Sequence, residues 1–342
     1  MRRPFPRLCG PWRSWRETIL DLLTRTNANI VFGVSSSQLT FGGSIRTRAN
    51  MRSLLKFFAL TYIVSWILWI ASAAILRMAT PQPTGVVAIS GFLYLLGVFA
   101  PSLVALALTV REDGRARMLE LLGRTVKWEV GARWYVFALT YMAAVKLSTA
   151  TLLRIATGAW PGFGQEPVYI MAIALVFSTP VQAGEEIGWR GYALPRLSAG
   201  LGLPGAGIVL GVIWACWHLP FFIISGNEKT GQSFPLYLLT VIPLSVGMAW
   251  LYWRTSGSLL LTMLMHAAIN NTMNIVPSAV SDATSAFSLS SSRVAWLSVA
   301  LLWICAAYFL IRMRGVKLPY GRQAAADISE TASARSSSRA SV

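Results

Sequence analysis

Long apolar runs recur along this chain, and they constrain its fold more than any other feature. A helix that crosses the hydrocarbon core of a bilayer needs about 20 mostly apolar residues. Eight segments approach that length, at roughly 55–76, 86–110, 134–157, 168–190, 204–225, 234–253, 258–277 and 294–312. The charged fraction of 13% is low beside the roughly 25% of a soluble domain. The sequence therefore predicts an all-α, polytopic membrane protein with about eight transmembrane helices, embedded in a lipid bilayer.

The basic residues concentrate in alternate connections between these runs. Connections on the cytoplasmic side of a membrane carry an excess of Lys and Arg. One set holds Arg52, Lys56, Arg111, Arg115, Arg117, Arg124, Lys127, Arg133, Arg190, Arg196, Arg254, Arg312, Arg314, Lys317 and Arg322, and the other holds Arg77, Arg154, Lys229 and Arg293. We therefore expect a plasma-membrane protein with both termini in the cytoplasm. This pattern also accounts for the net charge of +17, so no nucleic-acid partner is predicted.

The two ends of the chain differ in composition from the apolar body. Residues 1–50 are rich in Arg, Ser and Gly and poor in acids, as in targeting peptides. An alternative is that Met51, which opens a natural first membrane helix, is the true start. We predict a basic extension at 1–50 that is untranslated or disordered, a membrane domain at 51–315 and a disordered cytoplasmic tail at 316–342. The mixed stretch 112–133 is interpreted as an interfacial amphipathic helix or a loop.

Ionisable side chains inside the apolar runs are the strongest functional signal. The chain has two histidines, His218 and His266, and both lie in such runs, as does the acidic pair Glu185–Glu186. A charged group near the bilayer centre costs about 2.5–3.5 kcal/mol on insertion scales. Ionisable residues at such depth are rare and mark functional sites.

The segment GEEIGWRG places two acids and one base on a predicted helix. Glu186 and Arg190 are four residues apart, in the order that favours an ion pair. Glu185 lies about 100° around the helix from Glu186, so it faces another target. The alternative is that both glutamates only neutralise Arg190 and Lys146, a lysine in the middle of the third run whose role we leave unassigned.

The histidines lie in the segments WACWHLPFF and HAAINNTMN. His266 and Asn270 are four apart and share one helix face. A carboxylate beside an imidazole can hold and deprotonate a water molecule, and a second imidazole with an amide can stabilise an oxyanion. The same carboxylate and imidazoles, Glu185, His218 and His266, could instead bind zinc with an open fourth position. No HExxH helix supports that second interpretation.

Three of these segments resemble the motifs of one family in the family's order. EEIGWR resembles the EExxxR signature of the CAAX-type and bacteriocin-processing intramembrane proteases (CPBP or Abi), with Glu186 and Arg190 as the supporting ion pair. WACWH resembles the F-x-x-x-H motif, with Trp214 where Phe is usual, and HAAIN resembles H-x-x-x-N. The resemblance covers residues 51–315.

The resemblance implies roles for four side chains. Glu185 with His218 would activate the water, and His266 with Asn270 would bind the oxyanion. It also implies an intramembrane endopeptidase that cleaves membrane-anchored or lipid-modified substrates, including prenylated CAAX-type proteins. The family is commonly described as metalloproteases, so zinc is left open as a cofactor.

Two other function classes stay open from the sequence. A non-catalytic membrane scaffold or a bacteriocin-immunity factor could keep the same residues without turnover. A proton-coupled transporter would also use intramembrane Glu, His and Lys. Many transporters are built from two repeated halves that are visible as internal sequence similarity. No internal repeat relates residues 54–190 to 204–312.

Overall fold

The computed structural model describes residues 40–78, 83–224, 229, 232–277 and 285–319, with side chains from Asn50 onward. The chain divides into two units, and the larger, Thr47–Val342, holds all the packing discussed below. Most of the predicted extension at 1–50 and of the predicted tail at 316–342 lies outside the described residues. Helix α1 runs through the predicted boundary at residue 50.

Helices account for the regular structure of the described residues, which contain no strand. This confirms the predicted all-α fold. Their bounds are α1 Thr40–Met78, α2 Thr84–Asp113, α3 Arg115–Gly123, α4 Ala132–Thr157, α5 Val168–Val181, α6 Ala183–Glu186, α7 Leu194–Trp217, α8 Pro220–Ile223, α9 Phe234–Arg254, α10 Leu259–Thr272 and α11 Arg293–Arg312. A π-helical turn, Ile187–Ala193, joins α6 to α7.

Six helical segments of the described chain are long and apolar enough to cross a membrane, by length and composition. One of them, Val168–Ile223, contains the two predicted spans 168–190 and 204–225. The helix is kinked between them at Gly202, whose φ of +68° lies in the region that glycine adopts without a steric penalty. The predicted span 258–277 corresponds to the 14-residue helix α10, which is about 20 Å long.

One end of the bundle, here called the basic end, gathers the part of α1 near Ser53, the starts of α4, α7 and α10 and the ends of α2, α9 and α11. The Ser53 and Tyr192 hydroxyls lie 2.6 Å apart, which joins α1 to the π-helical turn. Arg196 Nη2 donates to Asp113 Oδ2 at 3.1 Å, which joins α7 to the end of α2. Within the stretch 112–133 lies the short helix α3, followed by a 3₁₀ turn.

The opposite end, here called the cavity end, gathers the ends of α1, α4, α8 and α10 and the starts of α2, α5, α9 and α11. Gly164 N donates to Ile275 O at 3.1 Å, so the α4–α5 connection touches the chain that leaves α10. Phe234 N donates to Ala286 O at 2.8 Å, so the start of α9 touches the segment before α11.

The first residues of the predicted tail pack on the basic end. Leu203 N donates to Val316 O at 2.8 Å, and Leu318 N donates to Ser198 Oγ at 2.9 Å. Beyond Pro319 the predicted tail lies outside the described residues.

Close packing of α6 and the π-helical turn against α2 places the acidic pair in the interior. A Cβ at Gly188 would lie 2.6 Å from the backbone C and O of Pro101, so this approach requires glycine. Glu185 is 6% exposed and Glu186 is fully buried. By contrast α5 has no buried residue, and its Val168 and Phe177 are about three-quarters exposed, as suits side chains that face lipid.

Candidate active site

A cavity of about 590 Å³ opens among the helices, and its wall contains Glu185, His218, His266 and Asn270. The four side chains predicted to carry the chemistry come from α6, the end of α7 and α10. They are separated by up to 85 residues in sequence, and only the folded bundle brings them to one space. The sequence predicted this set, and the structure places its members on one cavity.

Glu186 and Arg190 lie behind the cavity wall. Arg190 Nη1 donates to Glu186 Oε1 at 2.8 Å, and neither side chain has solvent exposure. The same Oε1 accepts a hydrogen bond from His266 Nδ1 at 2.9 Å. Because a carboxylate only accepts hydrogen bonds, Nδ1 of His266 carries a proton. Glu186 therefore joins the arginine to the histidine and fixes the ring of His266.

Glu185 faces a different partner from its neighbour. Its Oε2 accepts a hydrogen bond of 2.7 Å from the indole Nε1 of Trp214. Among the described residues, no other donor forms a hydrogen bond with this carboxylate. The divergence of Glu185 and Glu186 follows from their 100° separation around the helix.

His218 follows the last residue of α7, just before Pro220 opens α8. Its Nδ1 lies 2.8 Å from the carbonyl oxygen of Trp214. A carbonyl oxygen can only accept, so Nδ1 is the protonated nitrogen and Nε2 holds the lone pair when the ring is neutral. His218 lines the cavity, and the available nitrogen for a water molecule or a substrate is therefore Nε2.

Trp214 is the residue whose role the sequence reasoning missed. Its indole N–H donates a hydrogen bond to Glu185, and its backbone carbonyl accepts one from His218. The Arg190 guanidinium lies 4.2 Å from the centre of its ring, and the His266 ring meets it edge-to-face at 5.1 Å. The sequence signal for this role is that Trp214 lies one helical turn before His218 and carries an indole N–H donor.

The asparagines near the end of α10 divide into two kinds. Asn270 is exposed and borders the cavity, as does Asn274. Asn271 Nδ2 instead donates to Ser178 Oγ at 2.9 Å and to Ala267 O at 2.8 Å. Asn271 thus ties α10 to α5, in the way that polar side chains join membrane helices.

Other cavity residues were not singled out as site residues. Gln182, one turn before Glu185, is 7% exposed and lines the cavity. The fully buried Lys146 also borders it, from α4. Aromatic side chains form much of the wall, namely Trp69, Tyr94, Trp217, Phe221 and Tyr237. The cavity therefore combines a few polar groups with apolar surface, as small-molecule and peptide sites do.

The zinc interpretation does not fit the arrangement of donors. Zinc in a catalytic site needs three protein ligands converging at about 2 Å from one point. Among the described residues, no group of three His, Cys, Asp or Glu side chains is placed to hold a metal ion.

The chain is similar to known proteins over the region that contains these residues. Residues 165–272 match a family model described as Rce1-like, type II CAAX prenyl endopeptidase. The match contains all three motif segments. The CAAX prenyl protease 2 of Methanococcus maripaludis is 24% identical over 230 residues, which are 63% of this chain and 81% of that protein. The predicted resemblance to the CAAX proteases is confirmed.

Proposed function

We propose that this chain, an integral membrane protein that resembles the type II CAAX prenyl endopeptidases, is itself an intramembrane endopeptidase. The observation that carries the proposal is the meeting of Glu185, His218, His266 and Asn270 on one cavity. The matched region, residues 165–272, contains all four. Substrates of this class are membrane-associated proteins or peptides, among them prenylated chains.

In the proposed reaction, Glu185 and His218 activate a water molecule. Trp214 forms hydrogen bonds with both residues: its indole N–H donates to the carboxylate, and its carbonyl accepts from the imidazole. With Nδ1 protonated, His218 Nε2 can accept a hydrogen bond or a proton, and the carboxylate of Glu185 can do the same. A water molecule held by these two acceptors loses a proton as its oxygen attacks the scissile carbonyl carbon.

The attack creates a tetrahedral oxyanion, which needs hydrogen-bond donors. The side-chain amide of Asn270 can donate directly, and His266 donates through Nε2 when its ring carries both protons. Glu186 holds His266 through Nδ1, and it therefore directs Nε2 away from itself. Collapse of the intermediate breaks the C–N bond, the proton taken from water passes to the leaving amine, and the other product is a carboxylate.

The decisive experiment compares purified wild type with Glu185→Gln on a farnesylated CAAX peptide and on a membrane-protein extract. Glu166→Gln is the matched control, because Glu166 is an exposed carboxylate in the α4–α5 connection. We expect cleavage by wild type and by Glu166→Gln, and loss of cleavage in Glu185→Gln with an unchanged unfolding temperature. Retained cleavage in folded Glu185→Gln would overturn the mechanism. Absence of any wild-type cleavage would favour a scaffold or immunity role.

A further inference from the structure

We propose that Gln182 is a substrate-binding residue, whose side-chain amide pairs with one peptide group of the substrate main chain beside the scissile bond. The identity of this ligand rests on the peptidase function proposed above. The position of the amide and its accessibility to a ligand rest on the structure alone.

The Gln182 side chain is a buried polar group that faces the cavity. It is 7% exposed, and among the described residues none forms a hydrogen bond with its amide. The amide reaches the cavity, because Gln182 lines it and its polar atoms are not among the fully enclosed ones that lack a partner. Folded proteins pair roughly nine in ten of their buried polar groups, since an unpaired one costs free energy. An amide in this state, facing a cavity, indicates a polar ligand.

Main-chain hydrogen bonds fix the position of this amide. Gln182 N donates to the carbonyl oxygens of Ser178 and Thr179, at 3.2 Å in both cases. The carbonyl oxygen of Gln182 accepts from Glu185 N at 3.1 Å and from Glu186 N at 2.9 Å. Gln182 is therefore held one helical turn before the acid proposed to activate water.

The contact between α5 and α10 sets the depth of Gln182 in the cavity. Asn271 Nδ2 donates to Ser178 Oγ at 2.9 Å, and the two helices run in opposite directions from the cavity end. One turn inward from this contact lie Gln182 on α5 and Ala267, beside His266, on α10. The Gln182 amide thus lies at the depth of His266, which is proposed to bind the oxyanion.

A glutamine amide matches a peptide group in hydrogen bonding. Its Nε2 donates while its Oε1 accepts, and a peptide group presents one C=O and one N–H. A substrate chain that enters this largely aromatic wall loses water, so its main-chain groups need such partners. Pairing with the main chain does not depend on the substrate's side chains. Gln182 therefore positions an extended chain of varied sequence beside Glu185.

The first test measures binding without cleavage. A labelled farnesylated CAAX peptide is titrated into full-length Glu185→Gln in detergent, with and without Gln182→Met. We expect Gln182→Met to weaken binding about five- to a hundredfold, as for the loss of two hydrogen bonds. Gln165→Met is the control, because the exposed Gln165 amide donates to Phe163 O at 3.1 Å, and Gln165 does not line the cavity.

Wild-type cleavage of the same peptide separates this inference from the peptidase function. Cleavage by wild type, with equal affinities in the presence and absence of Gln182→Met, would overturn the role of Gln182 and leave the peptidase function intact. Binding that depends on Gln182, without any cleavage by wild type, would support the binding site and overturn the peptidase function.

The second test asks whether Gln182 pairs with the main chain. Each peptide bond flanking the scissile bond is replaced in turn by an ester, which removes its N–H. We expect one ester to weaken binding when Gln182 is present and to cost much less in Gln182→Met, as in a double-mutant cycle. Equal losses in both proteins at every position would overturn main-chain pairing.

Stability separates a binding role from a structural one. Gln182→Met removes a buried amide that no described residue pairs, so we expect an equal or higher unfolding temperature in the absence of peptide. A lower unfolding temperature than wild type, together with unchanged peptide affinity, would show that Gln182 supports the fold and would overturn the proposal.

Discussion

Trp214 donates its indole N–H to Oε2 of Glu185 at 2.7 Å, and its backbone carbonyl accepts from His218 Nδ1 at 2.8 Å. One residue thus orients both groups proposed to activate water. Phenylalanine, which is usual at this position in the resembling motif, has no side-chain donor. The substitution of Trp for Phe in this chain therefore changes the hydrogen bonding of the site as well as its packing.

Trp214→Phe should lower kcat/KM through kcat. Loss of a hydrogen bond to a charged group costs about 1.5–3 kcal/mol, which corresponds to about a ten- to hundredfold loss of rate. Steady-state kinetics on the peptide that wild type cleaves measures the effect. Trp217→Phe is the control, because Trp217 lines the same cavity and its Nε1 has no hydrogen-bond partner among the described residues. Equal rate losses in the two variants would refute an orienting role for Trp214.

Glu186→Ala should destabilise the protein far more than Glu185→Gln does. It leaves the Arg190 guanidinium buried without its partner, and breaking a buried pair in this way costs about 3–5 kcal/mol. Thermal unfolding in detergent measures the difference. The double variant Glu186→Gln with Arg190→Met removes both charges and should recover part of the lost stability. If it is no more stable than Glu186→Ala, the unpaired charge is not the cause.

Gly188→Ala should weaken the packing of the π-helical turn against α2. Its new Cβ would lie 2.6 Å from backbone atoms of Pro101, which cannot move aside as a flexible side chain would. Overpacking of this kind costs about 1–3 kcal/mol. Gly91→Ala serves as the comparison, because a Cβ there meets nothing within 4 Å. We expect a lower unfolding temperature for Gly188→Ala alone; matching temperatures would show that the contact relaxes freely.

Removal of divalent metal should not abolish cleavage. The described residues offer no group of three ligands for a metal ion, and the proposed water activation uses Glu185 and His218 alone. Activity would be measured before and after prolonged chelation, together with the metal content of the same sample. Stoichiometric zinc, with activity lost on chelation and restored by zinc, would contradict this prediction and return the site to the metalloprotease interpretation.

The membrane fold and the members of the site could be predicted from the sequence, because both depend on local patterns. Runs of about 20 apolar residues must be helical in a bilayer, where backbone groups have no water to bond. Glu186 and Arg190 lie one helical turn apart, so their pairing needs no tertiary information. Ionisable side chains inside such runs marked the site, since their placement there is costly.

The hydrogen bonds between these groups were decided only by the tertiary structure. Glu186 also bonds His266, which is 80 residues away, and Glu185 bonds Trp214, which is 29 residues away. The end at which the cavity opens likewise depends on how the helices meet. Sequence spacing determines which side chains share a helix face, but partners across helices follow from rotation and packing in the folded bundle, where a buried polar group must find whichever partner lies within reach.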